Sequence, residues 1–246
     1  MRIPRIFLDQ DMQVGKVFEL DAFASGHICR VLRMKAGRPL ILFNGRGGEY
    51  KTILNTADNK KALVEIESFE EVDRESPLKI HLGLALSRGD RFDWAIQKAV
   101  ELGVASITPL DSLRSDSIGD VKRKDRKLAH WNKLVISACE QSGRTSIPQV
   151  LAPQSCQDWV SAKSEISTLL LHPESQPISK YLQSIAKPPM ELALLIGPEG
   201  GFDSTEVAYF ESSGVVPVAF GPRILRTETA PVAVISVLQH LLGDIS

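Results

Sequence analysis

The sequence predicts an α/β fold in which a β-rich first segment precedes a parallel sheet of alternating strands and helices. Three observations lead there. Residues 1 to about 72 read as short strands joined by Gly, Asn and Asp turns. From Leu78 onward, apolar runs alternate with stretches of helical spacing, the pattern of βα units. Near the C-terminal end lie two glycine-rich loops, Gly197-Pro198-Glu199-Gly200-Gly201-Phe202 and Gly221-Pro222-Arg223-Ile224-Leu225-Arg226-Thr227-Glu228-Thr229-Ala230. Each follows an apolar run and precedes a helical pattern.

In the first segment, Pro39 to Phe43 followed by Asn44-Gly45-Arg46-Gly47-Gly48 is a hairpin signal, and Glu49 to Leu54 and Ala62 to Phe69 continue the β pattern. One short helix interrupts it, with Ser25 as the expected cap. On a helical wheel Ile28, Val31 and Leu32 share one side, while His27, Arg30 and Arg33 lie opposite, giving an apolar side for the core and a basic side for a partner. The acidic stretch ending at Pro77 marks the boundary, so the domains are expected at 1–72 and 73–246.

In the second segment Lys79 to Leu86 reads as a buried strand. Asp90 to Gly103 shows helix spacing at Phe92, Ile96, Ala99 and Leu102, and Gly103 ends it. Ser106 to Leu110 is the next strand, Leu128 to Ser142 the next long helix, and Ile166 to Leu171 a strand ending at His172-Pro173-Glu174. Leu192 to Ile196 and Val215 to Phe220 lead into the two glycine loops, and Val232 to Leu242 forms a final apolar helix. Strand, loop, helix, strand, loop, helix puts both loops at the C-terminal edge of a parallel sheet, where open α/β folds bind ligands.

Glycines there let the backbone approach a ligand without an intervening Cβ. The first loop is no phosphate loop, because no Lys-Ser/Thr pair follows its glycines, and it is not G-x-G-x-x-G. Glu199 in its middle would repel a polyphosphate and tolerate a neutral or cationic ligand. S-adenosylmethionine, an adenosine with an amino-acid tail and a sulfonium, answers that description. The plainer alternative is a tight β–α turn with a solvated Glu.

Composition sets the outer limits. At 246 residues, the chain suffices for one large domain or two smaller ones, burying roughly 70–75% of its unfolded surface. Apolar content of 43% and charged content of 24% are ordinary for a globular protein. No apolar run approaches the roughly 20 residues of a membrane span, and no signal-peptide core follows Arg2-Ile3-Pro4-Arg5, so a cytoplasmic protein off the membrane is expected. Cys29, Cys139 and Cys156 form no metal or redox motif and the histidines are scattered; reduced thiols and no metal site are expected. Net charge is only −1, yet Lys122, Arg123, Lys124, Arg126 and Lys127 crowd one stretch against Asp125. That run is either solvated surface or a phosphate-contacting face.

IGPEGGF followed by GPRILRTETA resembles the paired cofactor loops of the SPOUT RNA methyltransferases, and in particular the bacterial 16S rRNA uracil-N3 methyltransferases. Met1 to Phe7, His27 to Met34, Arg74 to Leu78, Ile96 to Val104 and Ala138 to Arg144 carry the same resemblance, which runs end to end. It implies a C-terminal trefoil knot where spacing alone suggests an ordinary doubly wound sheet. It also implies a PUA-like N-terminal β-barrel and a homodimer packed through the last helix; Val232, Val234, Ile235, Val237, Leu238, Leu241 and Leu242 supply apolar surface for that and would equally serve the chain's own core. The implied activity is S-adenosylmethionine-dependent methylation of N3 of uridine 1498, conventional numbering, in 16S rRNA of the small ribosomal subunit. The implied cofactor loops supply Leu171 and His172; Ile196, Gly197, Glu199, Gly200 and Gly201; and Phe220, Gly221, Ile224, Leu225 and Thr227.

Uracil N3 is a poor nucleophile until its proton leaves, after which charge spreads over O2 and O4. A nearby cation lowers that barrier as an oxyanion hole does. Arg226 and Arg223 are the candidates, with Glu228 or Glu199 as proton acceptor; an Arg–Glu pair bracing the loop is the competing role. N3 lies on the pairing edge, so the base must be unpaired or turned out of its stack, which demands a grip on RNA beyond the pocket. Arg2, Arg5, Arg30, Arg33, Arg88, Arg114 and Arg144 are the candidates, with Arg91 beside Arg88. Leu113-Arg114-Ser115-Asp116-Ser117 matches the family's Ser-Glu-Arg-rich stretch only loosely. The rival functions are ribose 2′-O methylation on the same fold, a non-catalytic RNA-binding assembly factor, and a nucleotide hydrolase, the last disfavoured by the missing phosphate-loop lysine.

Overall fold

The computed structural model describes residues 3–115, 119–185, 187 and 189–246. The chain divides into two compact units, Met1–Glu75 with Cys139–Ile147, and Ser76–Ala138 with Pro148–Ser246.

The first unit holds β1 (Arg5–Phe7), β2 (Val17–Glu19), α1 (Ala22–Gly26), a π-helical turn (His27–Val31), β3 (Pro39–Phe43), β4 (Glu49–Thr56) and β5 (Leu63–Glu70). The strands form one sheet in the order β1-β3-β4-β5-β2, with β1 parallel to β3 and the other pairs antiparallel. Alternation along the strands sends Leu40, Leu42, Leu54 and Val64 to one face, where they pack with Ile6, Leu20 and Ile28. The helix is capped by Asp21, not Ser25. Asp21 Oδ1 accepts the Ala24 N–H at 2.7 Å, whereas Ser25 is buried, donating to the Leu20 carbonyl at 3.1 Å and accepting from the Ala62 N–H at 2.9 Å.

The expected apolar side at Ile28, Val31 and Leu32 is also broken. The Leu32 N–H bonds back to the His27 carbonyl, five residues away, at 3.0 Å. That wider turn shifts the phase of the wheel. Ile28 is fully buried, while Val31 and Leu32 are 67% and 40% exposed. Arg30 and Arg33 are exposed, Arg33 in the left-handed region at φ 51°.

The second unit runs β6 (Lys79–Ala85), α2 (Arg91–Glu101), β7 (Ser106–Asp111), α3 (Val121–Ser142, its last turn assigned to the first unit), β8 (Gln149–Val150), β9 (Gln154–Ser155) and α4 (Cys156–Ser161). It continues with β10 (Thr168–Pro177), α5 (Ile178–Ser184), β11 (Glu191–Ile196), α6 (Ser204–Ser212), β12 (Val216–Ala219) and α7 (Thr229–Leu242). The sheet order is β12-β10-β11-β6-β7-β8, with β9 also beside β7, and every pair is parallel. β6 and β11 sit between neighbours on both sides and read as near-continuous apolar runs, as doubly covered strands must. At Gly83 a Cβ would lie 2.8 Å from the Trp159 ring, so glycine is what lets α4 close onto the sheet.

α3 starts at Val121, seven residues before the expected Leu128. Asp120 receives the Arg123 N–H on its carboxylate at 2.9 Å, which starts the helix ahead of any apolar periodicity. The basic run therefore forms the helix's first two turns. The apolar residues of the final helix divide between core and surface. Val234, Ile235 and Leu238 are fully buried in the chain's own core, while Leu241 is 56% exposed.

Candidate active site

Three loops at the C-terminal ends of β10, β11 and β12 build one cavity of about 590 Å³. The first interrupts β10: the register against β12 shifts between Leu171 and Gln176, so the strand resumes only after an excursion. Pro173 has no N–H for a ladder, which suits it to that break. Leu171, His172, Pro173 and Glu174 line the cavity from this side.

The second loop follows β11. Gly197 suits a close approach, because a Cβ there would sit 3.1 Å from the Phe202 ring, which would have to yield by a few tenths of an ångström. Phe202 in turn stands edge-on to Phe210 at 5.2 Å. The Gly201 N–H closes the turn on the Pro198 carbonyl at 2.9 Å. A reciprocal cap then starts α6: Asp203 accepts from the Thr205 N–H at 3.0 Å, and Glu206 accepts from the Asp203 N–H at 2.9 Å. The Thr205 amide and hydroxyl, with Arg114, hold the Asp203 carboxyl below its usual range. Arg114 donates to the Gly200 carbonyl at 3.3 Å and to Asp203 at 2.8 Å. Glu199 does not stand free in the loop, since it accepts from the Arg88 N–H and from Arg91 Nη1, each at 3.2 Å.

The third loop runs from Phe220 to Glu228. Its closing turn brings the Thr229 and Ala230 N–H groups onto the Arg226 carbonyl at 2.9 Å, starting α7. Thr227 is buried, while Arg223, Ile224 and Arg226 are exposed. Glu228 is half-buried, and its Oε2 is sealed from solvent with no hydrogen-bond partner among the described residues. An unpaired buried carboxylate oxygen is costly.

The cofactor and catalytic candidates thus all line one cavity: Leu171 and His172; Ile196, Gly197, Glu199, Gly200 and Gly201; Phe220, Gly221, Ile224, Leu225 and Thr227; and Arg223, Arg226 and Glu228. Ala230, just past the expected third loop, also stands in the wall, and sequence reasoning gave Arg91 no place there. Arg91 was within reach of inspection, at the start of a helix that follows a strand end.

The RNA candidates fare differently. Arg2 and the Asp116-Ser117 end of the loosely matching segment lie outside the described residues. Arg30, Arg33, Arg88 and Arg114 are exposed. Arg5 and Arg144 are not: they are 8% and 5% exposed in the first unit, which corrects their expected role. Arg5 pairs with Glu49 and donates to the Arg144 carbonyl at 2.9 Å. Arg144 Nε reaches Glu75 at 3.1 Å, and Arg74 adds a 3.0 Å bond to Glu49. Burial alone would raise the Glu49 carboxyl, but the hydrogen bonds from Arg74 and Arg5 more than reverse this and leave it below its ordinary value. The Arg5 and Arg144 guanidiniums are held inside, out of reach of a phosphate.

No group of His, Cys, Asp and Glu suited to a metal occurs among the described residues, and none of their helices is long and apolar enough to cross a membrane. Burial pushes the Cys139 and Cys156 thiols up to about 12.

A family model described as an RNA methyltransferase domain matches residues 74–239, and one described as an RNA methyltransferase PUA domain matches residues 24–67. A Buchnera aphidicola protein named ribosomal RNA small subunit methyltransferase E is 35% identical over 245 residues, spanning 100% of this chain and 99% of that one. A Neisseria gonorrhoeae ribosomal RNA small subunit methyltransferase E, solved bound to S-adenosyl methionine, is 35% identical with a TM-score of 0.91 over 100% of both chains. A Legionella pneumophila protein solved in complex with the bound cofactor SAM is 41% identical with a TM-score of 0.93, covering 99% of this chain and 100% of that one.

Proposed function

The chain belongs to the ribosomal RNA small subunit methyltransferase E family, and from that premise we propose that it methylates N3 of uridine 1498, conventional numbering, in 16S rRNA. The observation that carries this reading is the convergence of three loops on one cavity whose wall brings Glu228 together with Arg223 and Arg226. S-adenosylmethionine fits the residues present. At about 590 Å³ the cavity is the size of a small-molecule site. Leu171, Ile196, Phe220 and Leu225 offer apolar wall for an adenine, and no lysine or metal cluster is set for a polyphosphate among the described residues. Bound there, the cofactor supplies an electrophilic methyl group on a sulfonium.

The chain's own residues do the rest. Glu199 is already neutralised by Arg91, so Glu228 is the proton acceptor for N3–H. Arg226 and Arg223 are exposed at the cavity and stabilise the charge that appears on O2 and O4. Arg226→Ala is expected to lower turnover about 10²- to 10³-fold with cofactor affinity nearly intact, measured by calorimetry beside steady-state kinetics. A large loss of cofactor affinity would overturn its assignment.

The wider reading follows the family resemblance. On the family resemblance, the C-terminal half forms a trefoil knot. Two copies pack through α7, whose Leu241 is left exposed by the chain's own core. The PUA domain grips the RNA of the assembled small subunit, in the cytoplasm. The deciding experiment is transfer of labelled methyl to small subunits lacking the modification, followed by nucleoside mass spectrometry. One 3-methyluridine is expected. Label on a ribose would move the reaction to a 2′-OH, and no transfer with no cofactor bound would leave an RNA-binding protein.

A further inference from the structure

Beside the cofactor cavity lies a more open groove of about 1070 Å³, and Arg91, Glu199 and Glu228 belong to the walls of both. Trp94 lines the groove and not the cavity. It is the one exposed tryptophan of three, at 43% against 2% for Trp131 and 1% for Trp159. The two buried rings are accounted for: Trp131 donates to Asp93 at 3.1 Å and packs on Phe92, and Trp159 lies in the core over Gly83. The Trp94 ring has no aromatic or cationic partner among the described residues. α2 buries Phe92, Ala95 and Ile96 on its inner face. Arg91 and Trp94, three apart, share the outer one.

We infer that Trp94 is the platform on which the nucleotide next to the target stacks its base, with Arg91 and Arg88 placed for the flanking phosphates. The inference rests on the proposed reading of the cavity as the site of uracil methylation. Its chemistry follows from what that reaction demands. Drawing one base out of its stack into the cavity leaves a neighbour with an uncovered face, and an exposed indole replaces the missing stacking without reading sequence. Because Trp94 lies outside the cavity wall, the base it meets is the neighbour and not the target.

Tryptophan emission gives a direct test, since Trp131 and Trp159 are buried. Titrating the protein with a uridine-centred single-stranded oligoribonucleotide is expected to quench wild-type emission, and Trp94→Phe, which keeps a smaller stacking ring, is expected to abolish that quenching while raising KM for small subunits less than Trp94→Ala does. Trp94→Ala is expected to raise KM for small subunits roughly 10- to 100-fold, with kcat and cofactor affinity within about twofold. Quenching that persists in Trp94→Phe, or an unchanged KM in Trp94→Ala, overturns the inference. A fall to monomer mass in Trp94→Ala with KM unchanged would assign the ring to a contact between copies of this chain. Failure of the wild type to methylate subunits would sink the proposed reaction instead. The quenching needs no turnover and would still decide the role of Trp94.

Discussion

In the first unit, Arg5 and Arg144 lie buried against Glu49 and Glu75. In the second, Lys122, Arg123 and Arg126 stand on the first turns of α3. Lys124 alone of that run reaches a carboxylate among the described residues, Asp111 at 3.9 Å. The helix start is the wrong place for them on folding grounds, because the helix dipole favours acids there and like charges three and four apart repel. Arg5 and Arg144 hold the fold together. The α3 cations stand where the helix dipole and their mutual repulsion disfavour them. Basic residues of equal weight in the sequence thus do opposite work, and burial decides which.

The largest effect is expected where a buried pair is cut. Glu49→Ala leaves the Arg5 guanidinium buried without its carboxylate, and urea unfolding is expected to show a loss of about 3–5 kcal/mol. A loss below about 1 kcal/mol would mean that Arg5 finds water or another acceptor. The same carboxylate sets a pH dependence. Its folded pKa lies below its unfolded value of about 4.3, so its stabilisation is complete above that pH and is lost as pH falls through the folded value. Unfolding free energy plotted from pH 2 to 6 should rise more steeply for the wild type than for Glu49→Gln.

Glu140 has the opposite sign. Burial raises its pKa, and the Phe7 N–H, donating at 3.0 Å, offsets only part of that. Glu140→Gln is expected to keep the acceptor, remove the cost of the buried charge at neutral pH, and raise Tm slightly. The mildest change in stability is expected on α3. Replacing Lys122, Arg123 and Arg126 with Gln should raise stability by about 0.3–1 kcal/mol. It should also weaken RNA binding and flatten its salt dependence by roughly 0.7–0.9 in slope for each phosphate no longer neutralised. A more stable variant with unchanged RNA affinity would return that face to plain solvated surface.

The sheet and its ligand loops were legible because they are written locally. Apolar runs, glycines at Gly197 and Gly221, and helical spacing after each loop suffice to place two loops at one edge; the third, at Leu171 and His172, came only with the family resemblance. What the pattern did not carry was pairing at a distance. Arg5 and Glu49 are 44 residues apart, and Arg144 and Glu75 are 69 apart, so nothing near either arginine marks it as buried. The start of α3 is hidden because charged turns have no apolar period, although Asp120 stands there as a cap. Val31 and Leu32 depart from the expected side because a π turn changes the wheel on which that side is read. Trp94 leaves no local signal beyond its spacing from Arg91; its exposure shows only once α2 is packed.

The measurement that bears most directly on the site is the single-turnover rate of methyl transfer to small subunits by Glu228→Gln, with cofactor affinity measured in parallel. Removing the group that takes the N3 proton is expected to slow transfer about 10²- to 10⁴-fold while the cofactor binds within about threefold of wild type. A wild-type rate in Glu228→Gln would contradict the account, because the carboxylate that Glu228 brings to the cavity would then play no part in the chemistry.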